Sequence, residues 1–125
     1  MTIHAQSVPA HVLVVEDNSL IATQLAMMLE DMGVDDVRLA STVGEAVAAL
    51  RAHNFDLAIL DLQLGDENGL AVAEHCTAAD IPIIFSTGFG AELLPVIGAS
   101  EQLLKKPYSM QDLEKAILNA VRRVA

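Results

Sequence analysis

A chain of 125 residues with 53% hydrophobic positions can bury one core, is too apolar for disorder, and is too small for that core plus a separate output module. Seven Lys and Arg against seventeen Asp and Glu give a formal net charge of −10, which opposes sequence-independent attraction to DNA, RNA or anionic lipid. No apolar run approaches the ~18 residues of a membrane span, no targeting pattern opens the chain, and Cys76 has no second cysteine to pair with. The expectation is one cytoplasmic domain over residues 10–125 behind a flexible tail over 1–9, with no nucleic-acid or membrane partner.

In chain order, His11-Val12-Leu13-Val14-Val15 reads as a buried first strand that ends on the acidic pair Glu16-Asp17. Asn18 or Ser19 can cap a helix whose apolar face is Ile21, Leu25, Met28, Leu29 and Met32, stopped by Gly33. Val37 to Ala40 is a weaker strand, interrupted by Arg38 as suits a sheet edge. Thr42-Val43-Gly44-Glu45 matches a capping box for a second helix ending near His53-Asn54. Leu57 to Leu60 is the third strand and delivers Asp61 at its end, and the loop Gln63 to Asn68 leads to a helix over Gly69 to Ala78 in which Cys76 is a small buried hydrophobe. Ile81 to Thr87 is the fourth strand, with Pro82 at its tolerated first position. Gly90, Pro95 and Gly98 punctuate the next crossover, Gly88 to Ala99, leaving room for a short or disordered fourth helix only. Gln102 to Lys105 is the fifth strand, broken by Lys106-Pro107, and Ser109 to Asp112 opens a last helix through Leu113, Ala116, Ile117, Ala120 and Val121.

Strands alternating with helices imply an α/β fold with a parallel sheet covered on both faces, and in such sheets ligands bind beyond the carboxyl ends of the strands. Those ends carry Glu16, Asp17, Asp61, Thr87 and Lys106. Three neighbouring carboxylates repel unless a cation offsets them, and an oxygen-only set suits Mg2+. Asp61 is then the natural nucleophile for an acyl phosphate, with Lys106 and the Thr87 hydroxyl able to meet phosphoryl oxygens. Singly, each residue has a plainer reading: acids that complement a helix dipole, a strand-end hydroxyl, a solvated lysine. Their coincidence at the ends of four strands favours the joint site.

The acidic pair, Asp61, Thr87 and Lys106-Pro107 together resemble a response-regulator receiver domain over roughly Ala10 to Val124. The resemblance implies a flavodoxin-like, doubly wound five-stranded parallel sheet of order 2-1-3-4-5. It further implies Asp61 as phosphoacceptor, Asp17 and Asp61 as direct Mg2+ ligands, Glu16 acting through water, a further ligand in the Gln63 carbonyl, Thr87 and Lys106 on the phosphoryl group, and a cis peptide before Pro107 that aims the lysine. Phe85-Ser86-Thr87-Gly88-Phe89-Gly90 is similar to a subgroup marked by Phe-Ala-Thr-Gly-hydrophobic-Tyr, with Ser86 for the alanine and Gly90 for the tyrosine. Two departures stand out: Leu103 occupies the usual aromatic switch position, and Gly65 the usual loop proline.

The expected function is a stand-alone receiver of a two-component phosphorelay. It takes phosphate from a sensor histidine kinase or phosphotransfer protein and signals by protein contact or serves as a phosphate relay or sink, without being a turnover enzyme. Phe89 is expected to shield the acyl phosphate, while Gln63 is placed to orient a water. The rivals are a phosphorylation-independent receiver-like module, a small Mg2+-dependent aspartyl-phosphate phosphohydrolase that would want an acid where Gln63 stands, and a flavin-binding relative whose phosphate loop Glu16-Asp17 would repel.

Overall fold

Five parallel strands form the central sheet of the computed structural model, which describes residues 8–64, 67–87 and 102–124. The chain runs β1 (His11–Val15), α1 (Ser19–Asp31), β2 (Asp36–Ala40), α2 (Val43–Ala52), β3 (Leu57–Asp61), β4 (Gln63–Leu64), β5 (Glu67–Asn68), α3 (Leu70–Ala78), β6 (Ile83–Thr87), β7 (Gln102–Lys105) and α4 (Met110–Val124). The sheet order is β2-β1-β3-β6-β7, which is the expected 2-1-3-4-5 winding when β6 and β7 count as its fourth and fifth strands. β2, continuous through Arg38 although that residue interrupts its apolar run, lies at an edge and leaves Leu39 half exposed.

Alternation along the buried strands divides the core into two layers. Leu13, Val15, Ala58, Leu60, Ile83 and Phe85 face the helices that supply Ala46, Val72, Ala73 and Cys76, namely α2 and α3. Val12, Val14, Leu57, Ile59, Ile84 and Leu104 face the other way, against Leu25 and Leu29 of α1 and Leu113, Ala116, Ile117 and Ala120 of α4. Leu103, partly buried, packs against the first layer, and Val8, also partly buried, against the second.

Local polar chemistry fixes where the helices begin and end. Asn18 Oδ1 accepts from the Leu20 and Ile21 amides at 3.0 and 3.1 Å, and Gly33, at φ +104°, lets the chain leave α1 in a conformation that a side chain would oppose. At α2, Thr42 Oγ1 accepts from the Glu45 amide at 3.0 Å, but Glu45 reaches past the cap and accepts from the Ser41 amide and hydroxyl at 2.7 and 2.8 Å. The box is thus shifted outward by one residue on its return arm. Ser109 and Asp112 form the reciprocal pair at α4, at 3.0 and 3.1 Å.

Three expectations need adjusting or fall elsewhere. The fourth sheet strand begins at Ile83, after Pro82, whose carbonyl still accepts from the Ala58 amide at 3.0 Å. The stretch read as a loop from Gln63 to Asn68 carries a short antiparallel ladder, Gln63 opposite Asn68 and Leu64 opposite Glu67. The crossover Gly88 to Ala99, with Phe89, and also Gly65, lie outside the described residues. At the opposite end of the sheet, Asp56 Oδ2 accepts from the Ala10 and His11 amides at 3.1 and 3.0 Å, fastening the start of β1 to the start of β3.

Candidate functional site

Side chains alternate across a strand, so Glu16, two past Val14, Asp61, two past Ile59, and Ser86, two past Ile84, stand on the face covered by α1 and α4. Asp61 and Ser86 are direct partners in the β3–β6 register. Among the described residues, the buried polar side chains are Glu16, Asp61, Ser86 and Thr87, all at the carboxyl ends of strands. A sheet that is otherwise apolar throughout its centre therefore concentrates its buried polarity at one rim.

Lys106 follows β7 immediately, and its amide donates to the Thr87 carbonyl at 2.8 Å. Its Nζ donates to Glu16 Oε1 at 2.7 Å and to Asp61 Oδ2 at 3.0 Å. Glu16 Oε2 accepts from the Asn18 amide at 3.2 Å, so the start of α1 and the end of β7 hold one carboxylate between them. The Lys106–Pro107 peptide is cis.

Burial pushes the Glu16 carboxyl above its ordinary pKa, and the neighbouring Asp61 adds to this, against the downward pull of Lys106 and the Asn18 amide. For Lys106, burial works against its charge, but its bonds to Glu16 and Asp61 outweigh that and raise its pKa. The two directions belong together: the ammonium stays charged, and the buried Glu16 carboxyl ionises reluctantly.

Glu16, exposed Asp17 and Asp61 each offer a ligand atom within 4.8 Å of the others. Three carboxylates against one ammonium leave this cluster negative. Its donors are all oxygen, and one of them opens to solvent, so the set fits a hard divalent cation that keeps part of its water shell. Gln63 opens β4 just beyond Leu62, next to the cluster in the chain. The structure thus brings Glu16, Asp17, Asp61 and Lys106 together and ties Thr87 to them through the Lys106 backbone.

Two features were not legible beforehand. A Cβ built on Gly69 would overlap the Asp61 carbonyl oxygen and lie 3.3 Å from Leu62 Cα, so only glycine lets the start of α3 pack against the backbone that carries Asp61. Tyr108, half-buried, packs against the α1/α4 layer, and burial raises its phenol pKa in the field of Lys106, Glu16 and Asp61. Gly69 follows Asn68 as an ordinary turn residue would, and Tyr108 follows a strand-breaking proline, so neither carries a local signal of its place.

The model of the response regulator receiver domain matches residues 12–118 of the chain. The transcriptional regulatory protein PdtaR of Mycobacterium tuberculosis is 36% identical over 122 residues, covering 94% of this chain and 59% of PdtaR. The virulence transcriptional regulatory protein PhoP of Salmonella typhimurium is 31% identical over 117 residues, 90% of this chain and 52% of PhoP. Among solved structures, the response regulator PhyR of Brucella abortus superposes with a TM-score of 0.82 at 29% identity, covering 95% of this chain and 51% of that one. The receiver domain of Erythrobacter litoralis PhyR superposes at 0.81 and 29%, covering 90% of both chains. The chain spans little more than half the length of the curated relatives it matches.

Proposed function

The chain belongs to the response regulator receiver domain family, and from that premise we propose that Asp61 accepts a phosphoryl group from a sensor histidine kinase or a phosphotransfer protein. In this step one Asp61 carboxylate oxygen forms a bond to phosphorus as the bond from phosphorus to the donor atom breaks. The donor group departs with that bond's electron pair. The observation that carries the reading is the Lys106 ammonium bonded to both Asp61 and Glu16, a cation already seated where phosphoryl oxygens would arrive.

Glu16, Asp17, Asp61 and the Gln63 carbonyl are the groups that would hold Mg2+, which when bound offsets the charge on the transferring group. Lys106 supplies a fixed positive charge beside the acceptor oxygen. The buried Thr87, tied to the Lys106 amide through its carbonyl, supplies a hydroxyl at the same rim. The surrounding apolar strands keep the site's dielectric low, which strengthens each of these contacts.

Phosphorylated Asp61 then acts through protein contact or passes the group on, and the domain is an acceptor, not a turnover enzyme. Incubation with acetyl phosphate and Mg2+ should give acid-labile labelling that Asp61→Asn abolishes. Labelling that persists in Asp61→Asn would remove Asp61 from the role.

A further inference from the structure

Among the described residues, β2 has β1 on one side and no strand in register on the other. The Asp36 amide donates to the Ala10 carbonyl and the Ala40 carbonyl accepts from the Glu16 amide, both at 2.9 Å. Alternation along a parallel ladder then turns Asp36, Arg38 and Ala40 toward β1 and leaves the amides and carbonyls of Val37 and Leu39 pointing outward. A groove of about 570 Å3 flanks this edge on the α2 side, lined by Asp36 and Arg38 and by the small Ala48, Ala49 and Ala52. Arg38 guards the edge as a charge usually does. The guard is selective, because Asp36 stands two residues away on the same face and both side chains are half-exposed.

We propose that the β2 edge is a self-association surface whose partner is a second copy of this chain, paired antiparallel about a two-fold axis at Val37. In that register Val37 faces the partner's Val37, and the outward amide of each donates to the outward carbonyl of the other. Asp36 falls opposite the partner's Arg38, and Arg38 opposite the partner's Asp36, at the closer positions of the ladder where cross-strand charges interact best. Within one chain, Arg38 meets Asp36 through Nε alone at 3.6 Å, so a guanidinium built for a two-pronged contact is engaged there by one donor. The other two-fold register that matches outward groups, centred on Leu39, sets Arg38 against Ala40 and Asp36 against Thr42 and pairs no charges. An apolar strand from another protein would likewise leave both charges uncompensated. Antiparallel pairing points the carboxyl ends of the two half-sheets in opposite directions, so both Asp61 rims stay open. The pairing is independent of the acceptor role of Asp61.

Sedimentation velocity on the full chain tests this, up to about 1 mM and at about 0.15 M salt, which screens the repulsion between two chains of net charge −10 beyond about 8 Å. The parent should dimerise. Arg38→Asp and Asp36→Arg should each stay monomeric, since each sets like charges opposite one another, and an equimolar mixture of the two should form a heterodimer, which also shows that both are folded. Hydrogen exchange on the unaltered chain needs no variant: the Val37 and Leu39 amides should gain protection as concentration rises, while the Asp36 and Arg38 amides should not change. A parent that stays monomeric throughout, a dimer that persists in Arg38→Asp, or concentration-independent exchange at Val37 and Leu39 overturns the proposal. Folded single variants that fail to associate on mixing overturn it as well.

Discussion

The Lys106 ammonium donates to Asp61 Oδ2 at 3.0 Å although β6 lies between β7 and β3 in the sheet. The lysine therefore reaches across a whole strand to meet the carboxylate, and Glu16 Oε1, at 2.7 Å, is contacted from farther still.

Lys106→Ala should leave two buried carboxylates facing each other without compensation. The expected loss is about 1–3 kcal/mol of stability in metal-free buffer, kept below that of a fully buried pair because Lys106 is 21% exposed. Added Mg2+ should restore part of it. Urea midpoints with and without Mg2+ measure both effects, and an unchanged metal-free midpoint would show that the pair contributes nothing to stability.

Glu16 gives a pH dependence whose sign follows from its raised pKa. The folded state holds this proton more tightly than the unfolded chain does, so the stabilisation is complete below the ordinary carboxylate pKa. It is lost as pH rises through the raised value. With chelator present, stability should decline over that window. Mg2+ needs the ionised carboxylate, so its affinity should run the opposite way, weakening as pH falls through the same range. Calorimetric titrations at several pH values test this, and Glu16→Gln should flatten the profile.

Gly69→Ala should destabilise by about 1–3 kcal/mol through overpacking against the Asp61 backbone and should slow labelling by acetyl phosphate. Its φ of −63° would suit alanine, so the penalty comes from the neighbour and not from the residue's own backbone. Parent-like labelling together with a parent-like urea midpoint would show that the rim yields without cost.

Burial pushes the Cys76 thiol up to about 12, leaving almost no thiolate at neutral pH. Alkylation of the native protein at mildly basic pH should be about a thousandfold slower than that of a free cysteine and should recover in denaturant. A fast native reaction would place Cys76 outside the α2/α3 layer.

What the sequence made legible was contrast. Short apolar runs ending in Glu16, Asp61 and Thr87 announce both the strands and the rim where they converge, since a charge directly after a buried run can only sit at its end. Lys106 was legible for the same reason, aided by the proline after it. Features set by tertiary spacing were not: the close approach at Gly69, the packing of Tyr108 against the α1/α4 layer, and the β4–β5 ladder within a stretch of turn-like residues. The return arm of Glu45 was half legible, because the motif names the residues while the geometry chose Ser41 over Thr42.

One strand, β3, has an aspartate at each end of its run, and the two have opposite fates. Asp56 spends an oxygen on two backbone amides and has become a mooring for β1. Asp61 faces an ammonium and two other acids. Under the acceptor role proposed for Asp61, a reactive phosphate donor would meet chemically identical side chains at both ends, so any selectivity between them would reside in their surroundings.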